Sequence, residues 1–395
     1  MPIRSLEGVR IAAFTQFLLG PAGVQLLADL GADVIKVETP GTGAWERHWA
    51  GAETFPGGVS AFFMLANRNV RSLTLNLKSA DGLEAARRLV RSSDILVENF
   101  RPGVMDRIGL GYEAVKELRA DIVYVSASGY GGDGPYRDLP GQDLLIQAVS
   151  GLASLTGRAG EVPVPLGAAM IDQHGAALLA MATLAAVLHR DRTGEGQRVE
   201  VVMMEAAFNL ATEPVVYHLN GARLQRPRSW VTDTFHEAPY GIYPTSDGAV
   251  AVSMSTLARI SPALGDPPEL APYLDPSIAF SRRDDIGVAL GEVLRRLPTA
   301  EVVERLRADN LWCAPINDLE AAFADPAVQH LDPVLEFDHA QAGRVRVLKH
   351  PARYGAGEPE LRHLPPGVGE QTEEVLAELG YSPASIAGMR ASGAA

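Results

Sequence analysis

Asp172 and His174 stand at the head of MIDQHGAALLAMATLAAVLHRDRTGEG, and no charge occurs from Gly175 to Leu188. A carboxylate fixed at the mouth of a dry interior suits nucleophilic attack on an activated carbonyl. The same position suits an ordinary helix start, since Asp is a preferred N-cap and the helix dipole favours negative charge there. Both readings predict a mostly buried helix with Asp172 at its N-cap, ordered and held ionised. His174 either orients a substrate or caps the same helix.

Other chemistries are poorly supported. The nine histidines are scattered, and none forms a His-x-x-x-His pair or a compact cluster with carboxylates, so no metal site is expected. SASGYGG and VSGLASLTG do not match the Gly-x-Ser-x-Gly elbow of a serine hydrolase. No Walker loop is present, and QFLLGPAG after the first strand lacks the Gly-x-Gly-x-x-Gly turn of a dinucleotide site. The lone cysteine, Cys313, excludes an intrachain disulfide and reads as a structural thiol.

The elements that must position Asp172 alternate in type. RIAAFT (10–15), DVIKVE (33–38), SLTLNL (72–77), DILVENF (94–100) and DIVYVSAS (121–128) read as strands separated by helical patterns, and QRVEVVMMEAAFNLA as a strand running into a helix. Such alternation predicts parallel βαβ units and a doubly wound sheet. Ligands of open α/β sheets bind beyond the carboxyl ends of the strands. Lys78, Asn99, Phe100, Arg101 and Arg107 follow such ends, and GYGGDGPYRDLPGQD follows the fifth strand. Cations with an aromatic ring and loose glycine backbone suit a phosphorylated, adenine-bearing ligand.

At 395 residues about two domains are expected. Between about 220 and 245 the chain turns rich in Pro, Arg and aromatics, marking the entry to a second domain. There, DGAVAVSMS (247–255) reads as a hairpin-edge strand, and helices are predicted near 283–296 and 299–309. DPAVQHLDPVLEFDH and RVRVLKHPARY read as extended, and EQTEEVLAELG as a terminal helix. A net charge of −13 argues against nucleic acid as a partner. The uncharged run of 14 residues is shorter than the ~18 needed to span a bilayer. With no secretory signal in MPIRSLEGVRIAAF, the expectation is a soluble, cytoplasmic protein without a membrane partner.

Several blocks in order resemble one family. GPAGVQLLADLGADVIKVETPGTG, NRNVRSLTLNLKSADG, DILVENFRPGVMDRIGLGYE, RTGEGQRVEV and LPPGVGEQTEEVLAELGYS are similar to segments of the family III CoA-transferases, which also include the α-methylacyl-CoA racemases. The resemblance covers almost the whole chain. It implies an α/β fold: a Rossmann-like large domain with a parallel sheet (1–220 and 331–395) plus a smaller α+β domain (221–330). It also implies an obligate homodimer of interlocked rings.

The resemblance implies that Asp172 attacks an acyl-CoA thioester, giving a mixed anhydride and then an aspartyl-CoA thioester that a carboxylic acid acceptor resolves. No permanently bound cofactor is implied; the coenzyme A thioester is a substrate. The family's CoA contacts fall on Leu18, Leu75, Asn76, Leu77, Lys78, Asn99, Phe100, Arg101 and Arg107. Thr39 stands where some members carry a phosphate-binding arginine.

The racemase branch needs a base on each face of the substrate, one of them a histidine. The matching block here is PGQDLLIQAVSG, with Gln142 in the histidine position. An amide cannot accept that proton, so transfer is favoured over racemisation, and Gln142 and Asp143 are read as shaping the acyl pocket. A CoA-binding subunit without turnover is the remaining alternative. Formyl-CoA:oxalate transferases carry a mobile glycine run; HEAPYGIYPTSDG has none, which favours a larger acid, dicarboxylic or branched. Glu237 in that segment is read as facing the site, with an exposed loop glutamate as the alternative.

Overall fold

The computed structural model describes residues 1–229 and 233–395. The chain forms two compact units, one of residues 1–146, 169–210 and 333–395, the other of 147–168 and 211–332. The segment 147–168 thus packs with the second unit, whereas the change in composition puts the boundary near 220. Composition marks where a chain turns polar, not where its contacts go.

In the first unit six strands form one parallel sheet: β1 (Arg10–Phe14), β2 (Asp33–Glu38), β3 (Val70–Thr74), β4 (Ile95–Glu98), β5 (Val123–Ser128) and β6 (Gln197–Val202). Their order is β3-β2-β1-β4-β5-β6. Ile11, Ala12, Ala13 and Phe14 on β1 and Ile95, Leu96 and Val97 on β4 are fully buried. Near-continuous apolar strands of this kind are what a sheet covered on both faces requires. The order reverses between β1 and β4, which pair from Ile11↔Ile95 to Phe14↔Glu98. At such a switch point the following loops splay apart and leave a crevice. The exposed edge at β3 is covered by the C-terminal segment, where Gln371 exchanges hydrogen bonds with the Ser72 backbone.

The helix Met170–Thr193 packs along Leu19–Asp29, and glycine sets how closely. A Cβ on Gly175 would lie 2.6 Å from Leu19 Cδ1, and one on Gly23 would lie 2.8 Å from Leu179 Cδ2. This helix is longer than its uncharged core of 14 residues. At 24 residues it is long and apolar enough, by length and composition alone, to cross a membrane. Ile171, Ala176, Leu179, Ala180 and Val187 are nonetheless buried inside the unit, while Met181, Leu184 and Leu188 are exposed.

In the second unit β7 (Gly241–Pro244), β8 (Ala249–Ser253) and β9 (Trp312–Pro315) make an antiparallel sheet in which β8 is central, not an edge. Tyr243, Val250, Leu290, Leu294, Val302 and Leu306 form its core with the helices Arg283–Leu294 and Thr299–Ala308. Pro326–Leu331 is a helix rather than extended chain. Asp325 caps it by accepting the Ala327 N–H, and Pro326 occupies its first position. The antiparallel pair β10 (Val334–His339) and β11 (Gly343–Leu348) belongs to the first unit.

Candidate active site

Asp172 is not the N-cap of its helix. The capping position is Ala169, which offers no side-chain bond, and Asp172 is the third helical residue. The cap comes instead from Asp143, at the start of the helix Asp143–Val149. One oxygen of its buried carboxylate accepts the N–H groups of Ile171 (2.8 Å) and Asp172 (3.1 Å), two donors that a helix start leaves without partners. The Asp172 carboxyl is thereby freed from capping, and its oxygens have no hydrogen-bond partner among the described residues. Burial first, and then the neighbouring Asp143 charge, push its pKa up to about 7. The helix start therefore does not hold Asp172 firmly ionised: near neutrality it is poised between acid and carboxylate, and its carboxylate is more basic than an ordinary one.

Asp172 opens into a cleft of about 580 Å³. The loop after β1 contributes Gln16, Phe17 and Leu18, and the loop after β4 contributes Asn99, Phe100, Arg101 and Pro102. These are the two loops that diverge at the switch point. The loop after β5 adds Arg137, Leu139, Pro140, Gly141, Gln142 and Asp143, and Trp45, Trp49, Phe62 and Met203 complete the wall. Gly129 and Gly141 pinch the third loop: a Cβ on Gly141 would fall 2.3 Å from Gly129 Cα.

Asn99 lines the cleft with its amide already engaged. Its Oδ1 accepts the Gln16 N–H at 2.8 Å and its Nδ2 donates to the Gln16 carbonyl at 2.9 Å, clamping the β1 and β4 loops together. Gly20 makes room, since a Cβ there would meet Asn99 at 2.9 Å. Beside the cleft lies a smaller polar chamber of about 170 Å³ that shares Phe100, Arg101, Pro102, Ser128 and Arg137 with it. Burial pushes Glu98 in this chamber up to about 7, although it accepts the Phe100 N–H.

The structure therefore gathers Leu18, Asn99, Phe100, Arg101, Gln142, Asp143 and Asp172 at one cleft. It does not bring the other expected residues to that wall. Leu75 is buried in the core with Leu77 packed against it. The Asn76 N–H goes to the Ala394 carbonyl, Lys78 is exposed, and Arg107 is exposed beside Gly103. His174 lies two residues past Asp172, about 200° around the helix, and its Nε2 pairs with Asn209 Oδ1 at 2.8 Å. Glu237 is exposed in the second unit.

Sequence reasoning passes over Phe17, Trp45, Trp49, Phe62 and Arg137. A signal is present in WERHW, two tryptophans in a Gly- and Pro-rich connection just after a buried strand. Aromatics so placed have little core to enter.

The chain matches the model of CoA-transferase family III over residues 6–372. It is 34% identical to an acyl-CoA transferase of Fusarium pseudograminearum, covering 97% of this chain and 86% of that protein. It is 30% identical to the human succinyl-CoA:glutarate CoA-transferase, over 95% and 86% of the two chains. The crystal structure of a CAIB/BAIF family protein from Brucella suis superposes with a TM-score of 0.81 at 30% identity, covering 95% of this chain and all of that one. With the parallel sheet, the switch-point cleft and near end-to-end matches agreeing, this chain belongs to CoA-transferase family III and is an enzyme that transfers CoA between acyl-CoA thioesters and acids.

Proposed function

We propose that Asp172 is the nucleophile of an acyl-CoA:carboxylate CoA-transferase. A carboxylate oxygen of Asp172 attacks the thioester carbonyl and expels CoA thiolate, leaving a mixed anhydride of Asp172 and the donor acid. The thiolate attacks the aspartyl carbonyl of that anhydride, releasing the donor carboxylate and leaving an aspartyl-CoA thioester. The acceptor carboxylate then attacks this thioester, giving a second anhydride and thiolate. Attack of the thiolate on the acceptor carbonyl yields the new acyl-CoA and restores Asp172. Each step exchanges one activated acyl group for another, so no ATP is consumed.

The observation that carries this reading is an Asp172 carboxyl facing the cleft with no hydrogen-bond partner among the described residues and a pKa raised to about 7. A nucleophile near neutral pKa is both present as the anion and more basic than a free carboxylate. Gln142 supports transfer over racemisation, since the amide that lines the same cleft as Asp172 cannot take an α-proton. Leu75 to Lys78 and Arg107 remain proposed contacts for the distal part of CoA.

We further propose the interlocked homodimer and a cytoplasmic setting. Exposed Met181, Leu184 and Leu188 on the long helix support a covering partner. Sedimentation would test it, and a monomer at micromolar concentration would contradict it.

The test of the nucleophile is chemical. Acyl-CoA followed by hydroxylamine should convert Asp172 to a hydroxamate, located by peptide mass spectrometry. Asp172→Ala should lose transfer by on the order of 10³-fold or more. Full activity in that variant would remove the proposal.

A further inference from the structure

We propose that the aromatic wall of the cleft is a shelf for an aryl group, so that the acid this enzyme activates is an aryl-substituted monocarboxylic acid. The inference rests on the CoA-transfer reading above and names its substrate class.

Phe17, Trp45 and Trp49 are each 45% exposed. They are nevertheless ordered against one another. Phe17 and Trp45 lie 4.6 Å apart between ring centroids, Trp45 and Trp49 stack at 5.7 Å, and Phe62 meets Trp49 edge-on at 4.8 Å. All four line the Asp172 cleft.

The shelf is held from beneath by groups whose burial has a cost. Phe17 adopts φ +61°, a left-handed conformation that bulky side chains rarely take. Its N–H donates to Glu46, a fully buried carboxylate paired at 2.7 Å with Lys36, itself 1% exposed. Lys36 also donates to the Thr15 carbonyl. Beside Trp45, Arg47 forks onto Glu38 with two bonds of 2.6 Å. A strained backbone and a buried ion pair whose product is an exposed stack of rings indicate a built recognition surface.

Charge argues against a short dicarboxylate as the group on the shelf. Among the described residues the cleft's cations are Arg101 and Arg137, and both also line the polar side chamber, which contains no ring of the shelf. A second carboxylate laid against the ring faces would lose water there, whereas the cations that would pair with it, Arg101 and Arg137, stand on the wall shared with the side chamber. A substrate ring would instead gain stacking and edge contacts with two indoles.

Calorimetry with the Asp172→Ala enzyme, which should hold thioesters without turnover, tests the shelf with 3-phenylpropionyl-CoA, glutaryl-CoA and CoA. The aryl thioester should bind about tenfold tighter than glutaryl-CoA. Adding Trp49→Leu should remove most of that preference and leave CoA affinity within about twofold, whereas Trp49→Phe should keep it. Glutaryl-CoA binding as tightly as the aryl thioester would overturn the proposal. So would an equal loss of CoA affinity in Trp49→Leu, which would place adenine on the rings. Wild-type exchange assays separate the two readings. Aryl preference without any transfer keeps the shelf and removes the transferase, while transfer without aryl preference does the reverse.

Discussion

The carboxylate of Asp143 sits against the backbone of Asp172, accepting its N–H at 3.1 Å and that of Ile171 at 2.8 Å. One side chain thus caps the helix that carries the candidate nucleophile and repels the nucleophile's own charge. Asp143→Asn separates the two effects, because the amide oxygen can still accept both N–H groups. Removing the charge should lower the Asp172 pKa from about 7, while burial, the larger cause, keeps it above the ordinary range. As the carboxylate is the reactive form, kcat/KM should rise with pH through about 7 in the wild type and at lower pH in the variant. Asp143→Ala should also lose the cap, costing about 1 kcal/mol. Profiles of kcat/KM between pH 5 and 9 and denaturant melts check both arms, and an unshifted acidic limb in Asp143→Asn would count against the coupling.

The raised pKa of Asp172 has a sign for stability as well. The folded state holds the proton up to about pH 7, whereas the unfolded chain releases it in the usual range near 4. Between those values the folded protein binds more protons, so this group's contribution to stability falls as pH rises and stops falling above about 7. Asp172→Asn removes a charge that is unfavourable only when ionised. The variant should melt a few degrees above wild type at pH 8 and by a clearly smaller margin at pH 5, where only the first part of that loss has accumulated. Equal melting shifts at both pH values would show that Asp172 is not desolvated as the geometry requires.

How much of this is legible in the sequence depends on the range of the interaction. The β-rich runs mark the strands of the parallel sheet, since a strand buried on both faces must be apolar along its length. The family blocks lead to Asp172, Asn99 and Gln142. The cap is misassigned because a linear reading looks for it within a few residues of the helix start, and here it comes from Asp143, nearly thirty positions earlier. His174 is paired with Asp172 by proximity along the chain, although two residues on a helix point to opposite sides. The Lys36–Glu46 pair is invisible for a related reason: strand and loop residues of opposite charge look like solvated surface until the fold closes over them.

That pair yields a further prediction. Lys36 and Glu46 are both essentially inaccessible, and removing one partner of such a pair leaves the other charge buried without compensation. Lys36→Met should cost about 3–5 kcal/mol in chemical denaturation. The double variant Lys36→Met with Glu46→Gln should recover much of that loss, because neither position then leaves a buried charge without its partner, and Glu38 keeps Arg47. The amide oxygen introduced by Glu46→Gln can still accept the Phe17 N–H, so the ring shelf should survive in the double variant. Near-additive losses in the double variant would mean that the pair is not isolated from water.

The tightest backbone approach at the site lies between Gly129 and Gly141, on either side of the loop that delivers Gln142 and Asp143. A Cβ on Gly141 would come within 2.3 Å of Gly129 Cα and 2.8 Å of its nitrogen, and one on Gly129 within 2.4 Å of Gly141 Cα. Both obstacles are main chain, so no rotamer change relieves them, and the loop must open. Opening moves Asp143 away from the start of the long helix, and misplacement of a catalytic group by about 1 Å costs on the order of 10²-fold in rate. Gly141→Ala should therefore lose activity by roughly that factor and also shift the Asp172 acidic limb in the direction of Asp143→Asn. Gly388→Ala provides the contrast, since a Cβ there meets nothing within 4 Å on the helix Pro383–Ala391. It should leave activity intact and stabilise by up to about 1 kcal/mol. Wild-type activity and an unmoved limb in Gly141→Ala would show that the loop's closure does not position Asp143.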